Sequence, residues 1–147
     1  MLRLETEVDK DRRTMLGELL RETNSARSPV LREMRGTAED EEFPLHVWLV
    51  DPSTGALAGG LTAHVWARWL HVDLLWVDER HRGSGLGTRL LSEAEDLARA
   101  RGCLHARLET WDFQAPAFYR RQGYDLAGHI PDYPPGVTEF FFTKRLV

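Results

Sequence analysis

The 147-residue sequence contains one cysteine, Cys103, no long apolar run and no surplus of positive charge. A lone thiol closes no intramolecular disulfide and builds no cysteine-rich metal site; that usage suits a reducing cytoplasm, and Cys103 reads as a buried core thiol. No stretch reaches the roughly 20 apolar residues that cross a bilayer. The N-terminus, MLRLETEVDKDRR, is charged from its third residue, which excludes a secretory apolar region. A formal charge of -4 and a pI near 5.9 lack the basic footprint that nucleic-acid binding needs. The expectation is one soluble cytoplasmic domain over residues 1–147 that serves neither nucleic acid nor membrane.

What is present is patterned. Leu2, Leu4 and Thr6 alternate with Arg3, Glu5 and Glu7, which predicts a short half-buried strand before Asp9 offers a helix cap. Residues 10 to 22 read as helix, with Met15, Leu16, Leu19 and Leu20 at helical spacing. SPVLREMRG follows, with Ser28 as N-cap, Pro29 at the first helical position and Gly36 as the stop. TAEDEEFP is a solvated acidic connection. From Leu45 the character turns to β: LHVWLV, ALAGGLTAHVW and RWLHVDLLWV form an antiparallel meander on which Trp48, Trp66, Trp69 and Trp76 read as core or sheet-face packing. Residues 87 to 101 form an amphipathic helix through Leu90, Leu91, Ala94, Leu97 and Ala98, ended by Gly102. CLHARLET is the next strand, APAFYRRQ a short helix, and YDLAGHI and TEFFFTKRL the last two strands.

Between meander and helix, VDERHRGSGLGTRLL packs Gly83, Gly85 and Gly87 into five residues. A helix start carries free N–H groups and the positive end of the dipole, so an anion is the natural occupant, with Arg82 and Arg80 as candidate phosphate partners. A Walker-type loop needs a lysine and then a hydroxyl after its last glycine, but Gly87 is followed by Thr88 and Arg89. A dinucleotide loop needs Gly-x-Gly-x-x-Gly directly after a strand of a βαβ unit; here the third glycine comes one residue early, DERHR intervenes, and antiparallel strands precede it. Spacing removes both.

RGSGLG at 82 to 87 resembles the Arg/Gln-x-x-Gly-x-Gly/Ala motif of the GNAT superfamily of N-acyltransferases. FYRRQGY is similar to that family's Tyr-x-x-x-Gly-aromatic segment through Tyr119, Gly123 and Tyr124, and the order of elements resembles the family's over nearly the whole chain. The resemblance implies an α+β fold: a mixed, mainly antiparallel central sheet of about six to seven strands flanked by about four helices. It also implies acetyl-CoA as co-substrate, held in a V-shaped opening between strands 4 and 5. In that reading the N–H groups of Arg82, Gly83, Ser84, Gly85, Leu86, Gly87 and Thr88 cradle the pyrophosphate, and main chain near Leu75 and Val77 pairs with the pantetheine arm. Many relatives carry Asn where this chain has Asp112. TWDFQAPAFYRRQGY resembles a bacterial branch with a Phe-Gln-Ala run, in which Gln114 takes over that amide's contact with the coenzyme while Asp112, unfavourable beside an anion, points away.

The chemistry follows from the implied reaction. An alkylamine is almost wholly protonated at neutral pH and must lose a proton before it attacks a thioester; the departing thiolate benefits from a proton donor. By family position Tyr119 is that donor, and the N–H at Val77 serves the thioester carbonyl. Asp73 and Glu109 are alternative general bases, with a base acting through ordered water as a third possibility. His71 and Asp73 sit two apart on one strand, either as a base and its orienter or as two legs of a metal site; no third ligand is placed by sequence, and no metal is expected. His64, His81, His105 and His129 have no pairing argument. Alternation places Asp73, Leu75 and Val77 on one face. Asp132 and Tyr133, in HIPDYPPGV, are candidates for the acceptor rim.

The implied activity is acetyl transfer to a primary amine: a small molecule, an antibiotic or a lysine of a peptide or protein. The alternative is a non-catalytic coenzyme A-binding sensor or interaction protein on the same fold. A toxin acting on aminoacyl-tRNA is disfavoured by the missing basic surplus. By family habit a homodimer is expected, with EFFFTKRLV as an exposed aromatic strand able to supply the interface.

Overall fold

The computed structural model describes residues 1–147, which form two compact units, residues 1–40 and 41–147. In the first unit, Asp9 caps α1 (Lys10–Arg27) by accepting the Arg12 N–H at 2.9 Å, one of the donors that a helix start leaves unsatisfied. Ser28 serves two helices. Its N–H closes α1 on the Asn24 carbonyl at 2.8 Å, and its Oγ accepts the Leu31 N–H at 3.2 Å to open α2 (Pro29–Met34). Arg32 then returns to the carbonyls of Ser25 and Ala26 at 3.0 and 2.9 Å, covering acceptors that the end of α1 leaves open. The strand expected over Leu2 to Thr6 does not form. Leu2 and Leu4 are fully exposed, and an extended segment without a neighbouring strand has nothing to satisfy its backbone.

The second unit is a six-stranded sheet in the order β1-β2-β3-β4-β6-β5. Its elements are β1 (Phe43–Val50), β2 (Leu57–Trp66), β3 (Trp69–Val77), α3 (Leu86–Ala100), β4 (His105–Trp111), α4 (Pro116–Arg121), β5 (Asp125–Ile130) and β6 (Glu139–Arg145). All neighbours are antiparallel except β3 and β4, where the crossover through α3 brings the chain back in the same direction. The mixed, mainly antiparallel α+β architecture is therefore as expected. With the N-terminal strand absent, the opening expected between the fourth and fifth strands lies between β3 and β4. The closing strand differs from expectation: β6 is interior, paired on both sides, and Phe142 is wholly buried, so β6 offers no exposed strand for an interface.

Directly paired residues share a sheet face, so register sorts the side chains. Leu45, Ala63 and Val72 form one row, and Leu61 with Leu75 lies in the next; this face packs on α3, whose Leu90, Leu91, Ala94 and Ala98 complete the core. Burying each leucine contributes about 1.5–3 kcal/mol. Cys103 is buried in the same core, as expected. The opposite face carries His46, Trp48, His64, Trp76, His71, Arg107 and Glu109 by the same register.

One polar group enters the core. Glu95, in the apolar stripe of α3, accepts the Tyr124 hydroxyl at 2.8 Å and the Lys144 ammonium at 2.8 Å, so α3, the start of β5 and β6 meet at a satisfied carboxylate. Burial and the Glu95 charge push the Tyr124 hydroxyl strongly up from its ordinary value.

Candidate active site

Parallel pairing of β3 with β4 runs from Trp69 opposite His105 to Val72 opposite Leu108 and stops there. Beyond it the strands splay. β4 stays with β6 up to Trp111, while β3 stays with β2 up to Val77. The wedge between them is a cavity of about 720 Å³. Asp73, Leu75, Glu109, Gln114 and Tyr119, all expected at the site, stand together in its walls, and Tyr133 adds a rim residue. The loop of residues 82–88 is not part of these walls; it lies past the end of β3.

The splay begins at a bulge. Thr62 faces Leu74 and Ala63 faces Val72, so Asp73 is the extra residue on β3. This corrects the simple alternation. Leu75 and Val77 lie on the α3 face, whereas Asp73 turns the other way and accepts or shares the proton of His64 Nδ1 at 2.9 Å. Sequence pattern alone offers His64 no partner. A signal was available: Ala67 and Arg68, both with positive φ, make the tight β2–β3 turn, and counting outward from it puts His64 directly opposite His71. Ala-Arg is an unusual pair for such a turn, which concealed it. His71 in turn bonds Glu109 through Nε2, at 2.7 Å to Oε2 and 3.0 Å to Oε1, and the two imidazoles stand 4.9 Å apart. Arg107 donates to Glu109 at 3.2 Å.

On the α3 side, Tyr119 is 7% exposed, packed among Phe118, Tyr124 and Phe142, and lines the cavity. Burial pushes its hydroxyl up to about 12, so it remains protonated and able to donate. Gln114, in the cavity wall, accepts the Trp111 N–H at 2.9 Å and the Thr110 hydroxyl at 3.3 Å, holding the β4–α4 turn through its oxygen so that neither bond uses its NH2. Asp112 points away as expected, tied to Thr138 by its backbone N–H at 3.0 Å and its carboxylate at 3.2 Å. Asp132 also leaves the site and caps its own turn on the Gly136 N–H.

The glycine loop has the form of an anion cradle. Gly83 and Gly85 take φ of +83° and +78°, where a side chain would be strained, and the space beside both is open. Gly85 caps α3 without any side-chain bond, so the first-turn N–H groups of Leu86, Gly87 and Thr88 have no intrahelical acceptor. Arg82 Nε donates to the Val77 carbonyl at 3.0 Å, pinning the loop to the end of β3; Ser84 Oγ donates to the His81 carbonyl at 2.7 Å; and Thr88 Oγ1 accepts from Gln122 at 3.1 Å. Arg80 is not free for a phosphate. It holds Asp78 by two side-chain bonds, and that partnership takes the Asp78 carboxyl down to about 2.

A sheet split around a parallel pair, with an uncapped helix start beyond one arm and a protonated tyrosine inside, points to an acyltransferase of the coenzyme A-using kind. The family model described as "Acetyltransferase (GNAT) family" matches residues 14–124. A protein named "Blasticidin-S acetyltransferase" from Streptomyces morookaense is 53% identical over 130 residues, covering 86% of this chain and 96% of its own length. A "Streptothricin acetyltransferase" from Streptomyces lavendulae is 35% identical over 95 residues, 62% of this chain and 50% of that protein. Among solved structures, an acetyltransferase from Bacillus cereus ATCC 14579 superposes with a TM-score of 0.81 at 28% identity, covering 98% of this chain and 97% of that one. The chain belongs to the GNAT acetyltransferase family and is an acetyl-CoA-dependent N-acetyltransferase.

Proposed function

We propose that this chain acetylates an amine of blasticidin S, acting as one catalytic domain over its whole length. The observation that carries the acceptor is the likeness to the Streptomyces morookaense protein, which extends over nearly all of that relative. The match of the family model across both compact units supports the single-domain reading.

The residues fit acetyl-CoA. The uncapped N–H groups from Gly83 to Thr88 can receive the pyrophosphate, with Arg82 alongside, and the Gln114 NH2 can meet the coenzyme. The edge of β3 at Leu75 and Val77, left by β4 beyond Val72, can pair with the pantetheine amides. Bound acetyl-CoA supplies the acetyl group as a thioester. Asp73 and Glu109, from the two arms of the wedge, receive the cationic amine. Tyr119 donates its proton to the thiolate that leaves when the C–S bond breaks. A homodimer accords with family habit.

Thiol release from acetyl-CoA, followed with a chromogenic disulfide, tests the proposal. Blasticidin S is expected to give saturable release and a product heavier by one acetyl group. Release with streptothricin or simple amines but none with blasticidin S would reject the acceptor, and no release with any amine would reject the mechanism.

A further inference from the structure

We infer that the paired imidazoles of His64 and His71, each held by a carboxylate of the cleft, are together the proton acceptor for the incoming amine. The inference rests on the acetyl-transfer reading above and assigns the proton that an alkylammonium must lose.

Four side chains from three adjacent strands carry it. Asp73 holds His64 at 2.9 Å, Glu109 holds His71 at 2.7 Å, and the rings are 4.9 Å apart. Both carboxylates line the wedge, one from each arm, and each holds one imidazole that is not itself part of the walls. A carboxylate alone is a poor sink for a proton from an alkylammonium, because their ordinary ionisations lie about 6 pH units apart. An imidazole, whose ordinary range brackets neutrality, is a better match.

The bonds also decide which nitrogen works. With each carboxylate ionised, His64 donates its Nδ1–H to Asp73 and His71 donates its Nε2–H to Glu109. That tautomer leaves a lone pair on His64 Nε2 and on His71 Nδ1, and the carboxylate stabilises the imidazolium that forms, as in other carboxylate-oriented histidines. The groups facing the rings are Asp73 on β3, His64 on β2, and Glu109 and Arg107 on β4.

The step balances. The ammonium gives one proton, through water, to an imidazole lone pair. The freed amine forms the C–N bond as the C–S bond breaks. The thiolate takes the Tyr119 proton, Tyr119 is reprotonated by the second proton leaving the nitrogen, and the imidazolium releases its proton to solvent. The products are amide, thiol and one proton.

The test is the pH profile of kcat/KM for blasticidin S in His64→Gln, His71→Gln, the double variant and Glu109→Gln, with acetyl-CoA affinity and thermal melting as checks on folding. At neutral pH the double variant is expected to lose about 10²- to 10⁴-fold, each single variant less. Its rate should keep climbing with pH toward the amine's own ionisation, so that the gap from wild type narrows in alkali. A double variant that folds, binds acetyl-CoA and keeps the wild-type pH profile would overturn the inference while leaving the acetyl-transfer reading intact; a wild type that releases no thiol fails that reading first. Activity lost to a chelator and restored by zinc would also overturn it, since the ligand atoms of His64, His71 and Asp73 lie within 4.8 Å of one another and would then be a metal site.

Discussion

The two faces of the sheet at its open end work by different means. The face toward α3 is apolar and closed, and what it leaves open is mostly main chain, at the uncapped start of α3 and the free edge of β3, with the Tyr119 side chain at the cavity wall. The opposite face presents side chains, with indoles about half exposed at Trp48 and Trp76 and two imidazole–carboxylate pairs. In the proposed function, main chain would read what every acetyl donor shares, and side chains what distinguishes one acceptor from another. A fold that keeps its donor and changes its acceptor can therefore hold one face constant and vary the other.

Tyr119 carries the largest expected effect. If the closed face contributes chemistry only through this hydroxyl, Tyr119→Phe should lower the rate of thiol release about 10²- to 10⁴-fold while acetyl-CoA affinity is kept. Retained turnover would mean that the thiolate leaves unprotonated or draws on water. Next in size is Glu95→Ala, which leaves the Lys144 ammonium and Tyr124 hydroxyl without their partner behind that face. A loss of about 3–5 kcal/mol in chemical denaturation is expected, as for a broken buried pair. A loss below about 1 kcal/mol would show Lys144 turning out to water at the strength of a surface ion pair.

This division also explains what could be read in advance. The side proposed for the donor is carried by contiguous segments, RGSGLG and FYRRQGY, in which Gly83, Gly85 and Gly123 take positive φ at fixed spacing. The side proposed for the acceptor is assembled across strands. His64 and Asp73 are nine residues apart and His71 and Glu109 thirty-eight, and only register brings them together. Register was hidden twice, by a tight turn written as Ala67-Arg68 and by a bulge at Asp73 that reverses the alternation after it. The core glutamate escaped for another reason: Glu95 sits one residue from Ala94 in a helix rich in charged residues, and nothing local marks it as inward. The expected strand at Leu2 to Thr6 shows the opposite error, a true period-two pattern without a neighbour to pair with.

Two adjacent glycines of β2 probe how firmly each face is packed. Gly59 and Gly60 point to opposite faces of β2. A Cβ on Gly59 would stand 2.9 Å from the Trp76 carbonyl oxygen and 3.4 Å from the Val77 Cα, both backbone; a Cβ on Gly60 would meet the Trp48 ring at 2.6 Å. Backbone within a sheet cannot yield, but a half-exposed indole can swing aside. Gly59→Ala is expected to cost about 1–3 kcal/mol and to weaken acetyl-CoA binding by displacing the Val77 end of β3. Gly60→Ala should cost less and register instead as a change in tryptophan fluorescence and in KM for the acceptor. Equal costs at the two positions would mean that the open face is packed as firmly as the closed one.

The smallest effect separates the faces by dryness. Burial raises the Tyr119 hydroxyl to about 12, against about 10 in an unfolded chain. Between these values the unfolded state has released a proton that the folded state still holds, so stability falls as pH rises. The contribution is complete below about pH 10 and lost progressively up to about 12. At pH 11 it amounts to about 1 kcal/mol for this one group. Tyr119→Phe removes the titrating hydroxyl, so its stability, measured by denaturant unfolding at pH 9 and again at pH 11, should fall by about 1 kcal/mol less than that of wild type. Part of the slope should survive in the variant, because Tyr124 is raised in the same direction by burial and by Glu95. Parallel pH dependence in the two proteins would mean that water reaches Tyr119 from the wedge, and that the donor side of the site is as wet as the acceptor side.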